Sequence, residues 1–327
     1  MCVPDVRELL RPVLSPTLRH VRRLALAGIV ADTVIMSTGA AVRLSASGLG
    51  CPDWPRCSQA DVVASHNAGQ TLLNTWIEFG NRLLNFPLVA IAALIFIAAW
   101  RYLPRRRDLI WLAAVQPLGV VAQAVVGGIV VLTRLNPAMV TVHFLLSASI
   151  VAAAVLLYAR CGDFQDTPPA RRDLRVLSAL LVAVTGVMIA AGTVVTGTGP
   201  LAGHADTPRY HLPLEGVTQL HADIGWLMGG LAVALVLGIR LSGAGRRAMR
   251  AGWIVVAGLG VQGTLGYLQY FNHLPAGLVW VHVTTAVMLW DAILWLFFTL
   301  SAGTPPLSEP SALVTVVPHE DRERVDR

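Results

Sequence analysis

Lysine is absent, so all 25 basic side chains of the 327-residue chain are arginine, and charged residues of both signs make up only 13%. Cysteine occurs 4 times and aromatic residues make up 7%. So thin a charge cover cannot clothe a soluble surface, because soluble domains carry about 25% charged residues. The scarcity of cysteine excludes a disulfide-rich secreted scaffold. What is present in excess is hydrocarbon: 55% hydrophobic residues and a mean hydropathy of +0.62. The chain reads as an all-α polytopic membrane protein.

Eight apolar stretches fall at roughly 24–42, 76–99, 109–132, 138–159, 176–196, 216–239, 251–271 and 277–299. Each has about 20 residues, enough at about 1.5 Å per residue to cross about 30 Å of hydrocarbon. The arginines alternate between the two sides. Arg7, Arg11, Arg19, Arg22 and Arg23 precede the first stretch, and Arg101, Arg105, Arg106 and Arg107 follow the second. Arg160, Arg171, Arg172 and Arg175 lie between the fourth and fifth, and Arg240, Arg246, Arg247 and Arg250 between the sixth and seventh. The other connections hold only Arg43, Arg56, Arg134 and Arg209. By the positive-inside rule both termini are cytoplasmic and the odd-numbered connections face outward. The net charge of +6 is then a topology signal, and nucleic acid is excluded as a partner. The first stretch is expected to stay as a helix, its alternative being a cleaved signal peptide.

The segment "GLGCPDWPRC" follows the first stretch on the outer side. There a disulfide persists, and Cys51 and Cys57 can pair across a loop stiffened by Pro52 and Pro55. Two readings stay open: a structural staple or a redox-active dithiol. Cys2 and Cys161 fall on the cytoplasmic side as free thiols, and His66 is too little company for a zinc site.

An internal repeat organises the rest. "QAVVGGIVVLTRLNPAMVTVH" ends at His143 and "QGTLGYLQYFNHLPAGLVWVH" at His282, with Gln and Gly at matching places. "WIEFGNRLL" sets Asn81 against His221 of "GVTQLHADIGW", and "VIMSTGAAV" aligns with "VMIAAGTVV". The expected fold is therefore two tandem four-helix bundles related by pseudo-symmetry. A cytoplasmic N-terminal segment covers 1–23 and a first unit with the cysteine loop covers 24–160. A cytoplasmic linker (161–175), a second unit (176–301) and a cytoplasmic tail (302–327) complete the chain.

His143, His221 and His282 lie at similar depth, about one or two turns inside the outer ends of their helices. Neutral imidazoles in an apolar four-helix bundle are common axial ligands of haem iron, so His221 and His282 are expected to share one iron. The alternative is a pair of histidines hydrogen-bonded between helices. The first unit keeps His143 but has Asn81 in place of its partner, with Glu78 one turn earlier. Either Glu78 and Arg82 form an ion pair at i,i+4 spacing, or Glu78 faces the reacting group while Arg82 meets a propionate.

"GAAVRLSASGLGCPDWPRC", "WIEFGNRL", "VHFLLS", "LHADIGW" and "VHVTTA", in this order, resemble the haem A synthase family over roughly residues 24–300. The resemblance implies conversion of haem O to haem A, a methyl group being hydroxylated twice to give a formyl group, in a bacterial cell membrane. It implies haem b between His221 and His282, with His143 as a ligand in the first unit. It also implies Glu78 as the catalytic acid and Cys51 and Cys57 as the outer-loop pair. Haem O synthase, cytochrome oxidase assembly factors, membrane lipid and further copies of the chain are its implied partners. The commoner family pattern has histidine directly before the arginine, where this chain has Asn81. Amide is a poor iron ligand beside imidazole, so substrate haem is expected to bind through His143 without a second histidine.

The remaining polar groups are weaker signals. His204 and His211 read as surface histidines, and Gln123 and Gln262 as interhelical hydrogen-bond formers. Arg43 and Arg134 stand where a propionate or a lipid phosphate would meet them. Asp223 is expected to bond near His221, while Asp32 and Asp291 have no assignment. A non-catalytic membrane b-type cytochrome and a transporter are the rival function classes.

Overall fold

Thr17 opens the first helix: its hydroxyl accepts the His20 N–H at 3.4 Å while His20 Nδ1 accepts the Thr17 N–H at 3.2 Å. This capping box starts the helix six residues before the apolar stretch begins, so α1 runs Leu18–Leu44 and carries Arg19, Arg22 and Arg23 in its first turns. The computed structural model describes residues 15–59, 61–64, 71–162 and 169–301. Cys2, His66 and the proposed tail from residue 302 lie outside the described residues.

Eight further helices follow: α2 (Leu72–Leu83), α3 (Asn85–Arg101), α4 (Arg107–Leu132), α5 (Pro137–Arg160), α6 (Arg172–Thr198), α7 (Leu214–Ser242), α8 (Arg246–Phe271) and α9 (Ala276–Leu300). No strand occurs among the described residues. Counting α2 and α3 as one span, the chain has 8 segments long and apolar enough to cross a membrane. It is a multi-pass membrane protein. The second apolar stretch, expected as one helix, is two: Pro87 has no N–H for the Leu83 carbonyl, and the chain breaks at Leu84.

Helices α1, α3, α4 and α5 pack in a closed ring, with α2 resting on α1. Helices α6, α7, α8 and α9 close a second ring in the same order, and α1, α5, α6 and α9 form the seam between the rings. Each ring has a packed apolar core at its arginine-rich end. Val21, Ala25, Ile95, Ala98, Leu109 and Leu157 fill the first, and Leu181, Leu235, Ile239, Val255, Ile293 and Leu296 the second. Met36, Val151, Val155, Trp290 and Leu294 fill the seam.

The turns α4–α5 and α8–α9 are the same turn. Arg134 and Leu135 have φ 52° and 60°, and His273 and Leu274 have φ 59° and 59°. Leu135 N–H bonds to Val130 O at 2.8 Å, as Leu274 N–H bonds to Gln269 O at 2.8 Å. Two consecutive left-handed residues are costly without glycine, so a shared turn of this kind is specified by its surroundings rather than by chance.

Candidate functional site

The ends of the rings opposite the arginine-rich cores are built differently. No residue of α7 before Met228, and none of α8 after Val255, is buried. In this loosely packed half His221 on α7 and His282 on α9 face each other, ring centroids 6.4 Å apart and planes inclined by 63°. Two imidazoles on opposite sides of one metal stand about 6 Å apart, given a metal–nitrogen bond of about 2.0 Å and about 1 Å more to each ring centre. Their buried Nδ1 atoms have no hydrogen-bond partner, nor has that of His143. Among the described residues no three His, Cys, Asp or Glu side chains gather as a metal site. Two imidazoles therefore suit a metal whose other ligands come from a porphyrin.

Each imidazole leans on a glycine of a neighbouring helix. A Cβ on Gly192 would lie 3.2 Å from His221 Cε1, one on Gly127 3.2 Å from His143 Cε1, and one on Gly266 3.7 Å from His282 Cε1. The backbone at two of them is tied the same way: Gln123 Nε2 donates to His143 O at 3.1 Å, and Gln262 Nε2 to His282 O at 3.1 Å. Ser147 and Thr285 accept the same amides at 2.6 and 2.7 Å. The two glutamines are interhelical ties, as their sequence position suggests.

Beside the first ring, on α2, the centre is Glu78. It is 5% exposed, and its Oε2 accepts the Cys51 N–H at 2.8 Å. Its Oε1 accepts Arg82 Nη2 at 2.6 Å. Arg82 Nη2 also donates to Cys51 O at 2.8 Å, and Nη1 donates to Asp53 O at 3.0 Å and Arg56 O at 3.2 Å. All four Nη hydrogens have acceptors in Glu78 and the loop, so the side chain orders protein backbone. Glu78 and Arg82 form the ion pair that their i,i+4 spacing allows.

Cys51 and Cys57 form a disulfide with Cα atoms 4.3 Å apart, and both are buried. The loop they close lies directly on the first ring. A Cβ on Gly50 would meet the Asn74 carbonyl oxygen at 2.5 Å, so only glycine allows the loop this close to α2. The Trp54 ring covers Gly128, where a Cβ would fall 2.7 Å from it, beside the Gly127–His143 contact. Glu78, Arg82, Trp54 and His143 thus share one end of one ring.

Family comparison adds an independent finding. Residues 22–294 match the model of the cytochrome oxidase assembly protein family. The chain belongs to that family. Within it, the chain is 29% identical over 228 residues to proteins named heme A synthase from Bacillus mycoides (strain KBAB4) and Bacillus cereus (strain AH187). A Bacillus anthracis (strain CDC 684 / NRRL 3495) protein of the same name is 28% identical. Each alignment covers 67% of this chain and 70% of the relative.

For this family member several sequence expectations need relocation. Asp223 does not bond near His221; it is exposed on α7 and accepts Gln219 Nε2 at 2.7 Å, because residues two apart on a helix point to different faces. Asp32 and Asp291 meet on the α1–α9 seam within electrostatic range of each other, and Thr33 Oγ1 donates to Asp291 Oδ2 at 3.1 Å. Arg43 is half-buried with its stem over Gly203, and Arg134 is exposed in its turn. His211 is exposed, and half-buried His204 lies 3.8 Å from the Asp206 carboxylate. Two contacts were not anticipated: Trp54 on Gly128, and Thr38 Oγ1 donating to Asn81 Oδ1 at 2.7 Å. The doubled glycine at 127–128 and the threonine beside Gly39 were the available signals.

Proposed function

We propose that the chain is a haem A synthase, which oxidises a methyl group of haem O to a formyl group by successive hydroxylations for maturation of cytochrome oxidase. The observation that carries this reading is the difference between the two rings. One pairs two imidazoles at 6.4 Å; the other sets a buried carboxylate and a single imidazole beneath a disulfide-closed loop. The names of the relatives agree with it.

In this reading His221 and His282 hold haem b, which when bound supplies electron transfer. The facing rings, the unpartnered Nδ1 atoms and the glycines against the imidazoles fit such a cofactor. His143 holds the substrate, with no histidine opposite. Glu78 stands near the reacting methyl, where its carboxylate offsets developing positive charge or takes a proton from incoming water. Arg82 and the Cys51 N–H fix both carboxylate oxygens, so Glu78 is oriented before substrate arrives. Trp54 and the loop shield that end of the ring from water.

In this reading the chain is two tandem units, 24–160 and 176–301, in a bacterial plasma membrane. The arginine asymmetry supports cytoplasmic termini and an outward-facing cysteine loop, where an oxidising compartment keeps the disulfide. Haem O synthase and oxidase assembly factors are the partners this role implies. The test is chromatography of haems extracted from cells making haem O, with the intact chain, a Glu78→Ala variant, or neither. Haem A formed only with the intact chain supports the reading. Haem O left unchanged beside a folded, haem-b-loaded protein favours the non-catalytic electron-transfer alternative.

A further inference from the structure

The two rings differ at one pair of matched positions. In the second ring Gly192, preceded by Ala191, is in close contact with the His221 imidazole. The matched residues of the first ring are Thr38, Gly39 and Asn81. A Cβ on Gly39 would meet nothing within 4 Å, and Thr38 Oγ1 donates to Asn81 Oδ1 at 2.7 Å. Two substitutions therefore go together: a short amide stands in the place of an imidazole, and a hydroxyl stands where it can hold that amide's oxygen.

A carboxamide offers one oxygen acceptor and an NH2 with two donors. The one Thr38 hydroxyl hydrogen reaches three acceptors, Asn81 Oδ1 at 2.7 Å and the Val34 and Ile35 carbonyls at 3.1 and 3.2 Å. With the shortest of these taken, the amide donors are what remain, and the Asn81 side chain makes no other hydrogen bond among the described residues. An amide nitrogen does not compete with imidazole for iron. Such a group recognises an acceptor atom instead. By the repeat, Asn81 stands where the second ring has its His221 imidazole. A hydrogen-bond donor at that place matches a small molecule that binds iron through one atom and accepts a hydrogen bond at the other.

We propose that the first ring binds a small, uncharged exogenous ligand of this kind on the haem face opposite His143. Asn81 Nδ2 donates to it, and Thr38 sets the direction of the amide. The inference rests on the reading of the first ring as a haem site. Asn81 is the recognition residue and Thr38 a positioning residue that acts through it.

The probe is carbon monoxide, added to the purified, reduced, haem-loaded full-length protein and followed by optical difference and infrared spectra. The wild type is expected to bind it at the haem whose presence depends on His143, leaving the haem held by His221 and His282 unchanged. Asn81→His abolishes that binding. Asn81→Leu weakens it about tenfold, the worth of one hydrogen bond, and raises the C–O stretching frequency. Thr38→Val, nearly isosteric, shifts or broadens the same band in the same direction, while the unchanged second-ring spectrum reports that each variant is folded. Identical affinity and band position in the wild type and in Asn81→Leu overturns the inference alone, as does a His143-dependent haem that takes no carbon monoxide. A purified wild type with no His143-dependent haem overturns the underlying reading as well.

Discussion

Glu78 Oε2 accepts the backbone N–H of Cys51 at 2.8 Å, so the buried carboxylate and the disulfide loop are held by one another. Arg82 reinforces the link through three loop carbonyls. Loop and acid form one structural element, although 27 residues separate them.

Arg82→Ala leaves Glu78 buried without its cation and frees the loop carbonyls, a change worth about 3 kcal/mol. Arg82→Lys restores the charge but not the planar four-donor fork, so it rescues only partly. Both variants are expected to cut faster with trypsin at Arg56 and to lower haem A yield, with haem b content unchanged. Equal cleavage rates in wild type and Arg82→Ala would show that the guanidinium does not hold the loop.

Replacing Cys51 and Cys57 together by serine removes a short closure, worth about 2 kcal/mol for a loop of this length. Because Arg82 still grips three carbonyls, the bundle keeps its thermal midpoint and the loss is confined to the loop. Haem A yield falls several-fold in the haem-extraction assay, while bound haem b stays constant.

Alanine at the glycines should rank by the space available. Gly192→Ala presses on His221 and changes the low-spin signal of the second-ring haem, while Gly266→Ala, at ordinary contact distance from His282, changes it less. Gly127→Ala affects only the haem that depends on His143, and Gly39→Ala leaves the second-ring signal unchanged, its Cβ meeting no protein atom within 4 Å. Electron paramagnetic resonance of the four variants reads the order directly.

Burial pushes the Cys161 thiol up from 9.0 to about 12. Between these values the folded chain keeps a proton that the unfolded chain has released. This group therefore leaves stability unchanged below pH 9 and lowers it as pH rises from there toward about 12. In a Cys2→Ser background the folded protein in detergent should resist maleimide at pH 8, and denaturant should expose one reactive thiol.

The spans were legible because hydropathy integrates over about 20 residues, and each helix end lies within a few residues of its apolar stretch. The break at Leu84 was not, since hydropathy does not register the N–H that Pro87 lacks. Spacing showed that Glu78 and Arg82 could pair, but not that a distant loop would supply the other partners, because backbone carbonyls carry no sequence signature. Repeat alignment brought Asn81 opposite His221 in register and so exposed the asymmetry between the rings. The role of Thr38 lay in a neighbour of that alignment and needed the side-chain contact to be seen.

The joint at Leu84 has a mechanical consequence. The matching helix of the second ring, α7, is one uninterrupted rod of 29 residues, whereas α2 is a lever of 12 that ends where α3 begins. Glu78, Asn81 and Arg82 all ride on this lever, which touches the bundle through α1 and α3 and the loop through Gly50, Cys51 and Arg82. A push on the loop is therefore delivered to all three side chains together.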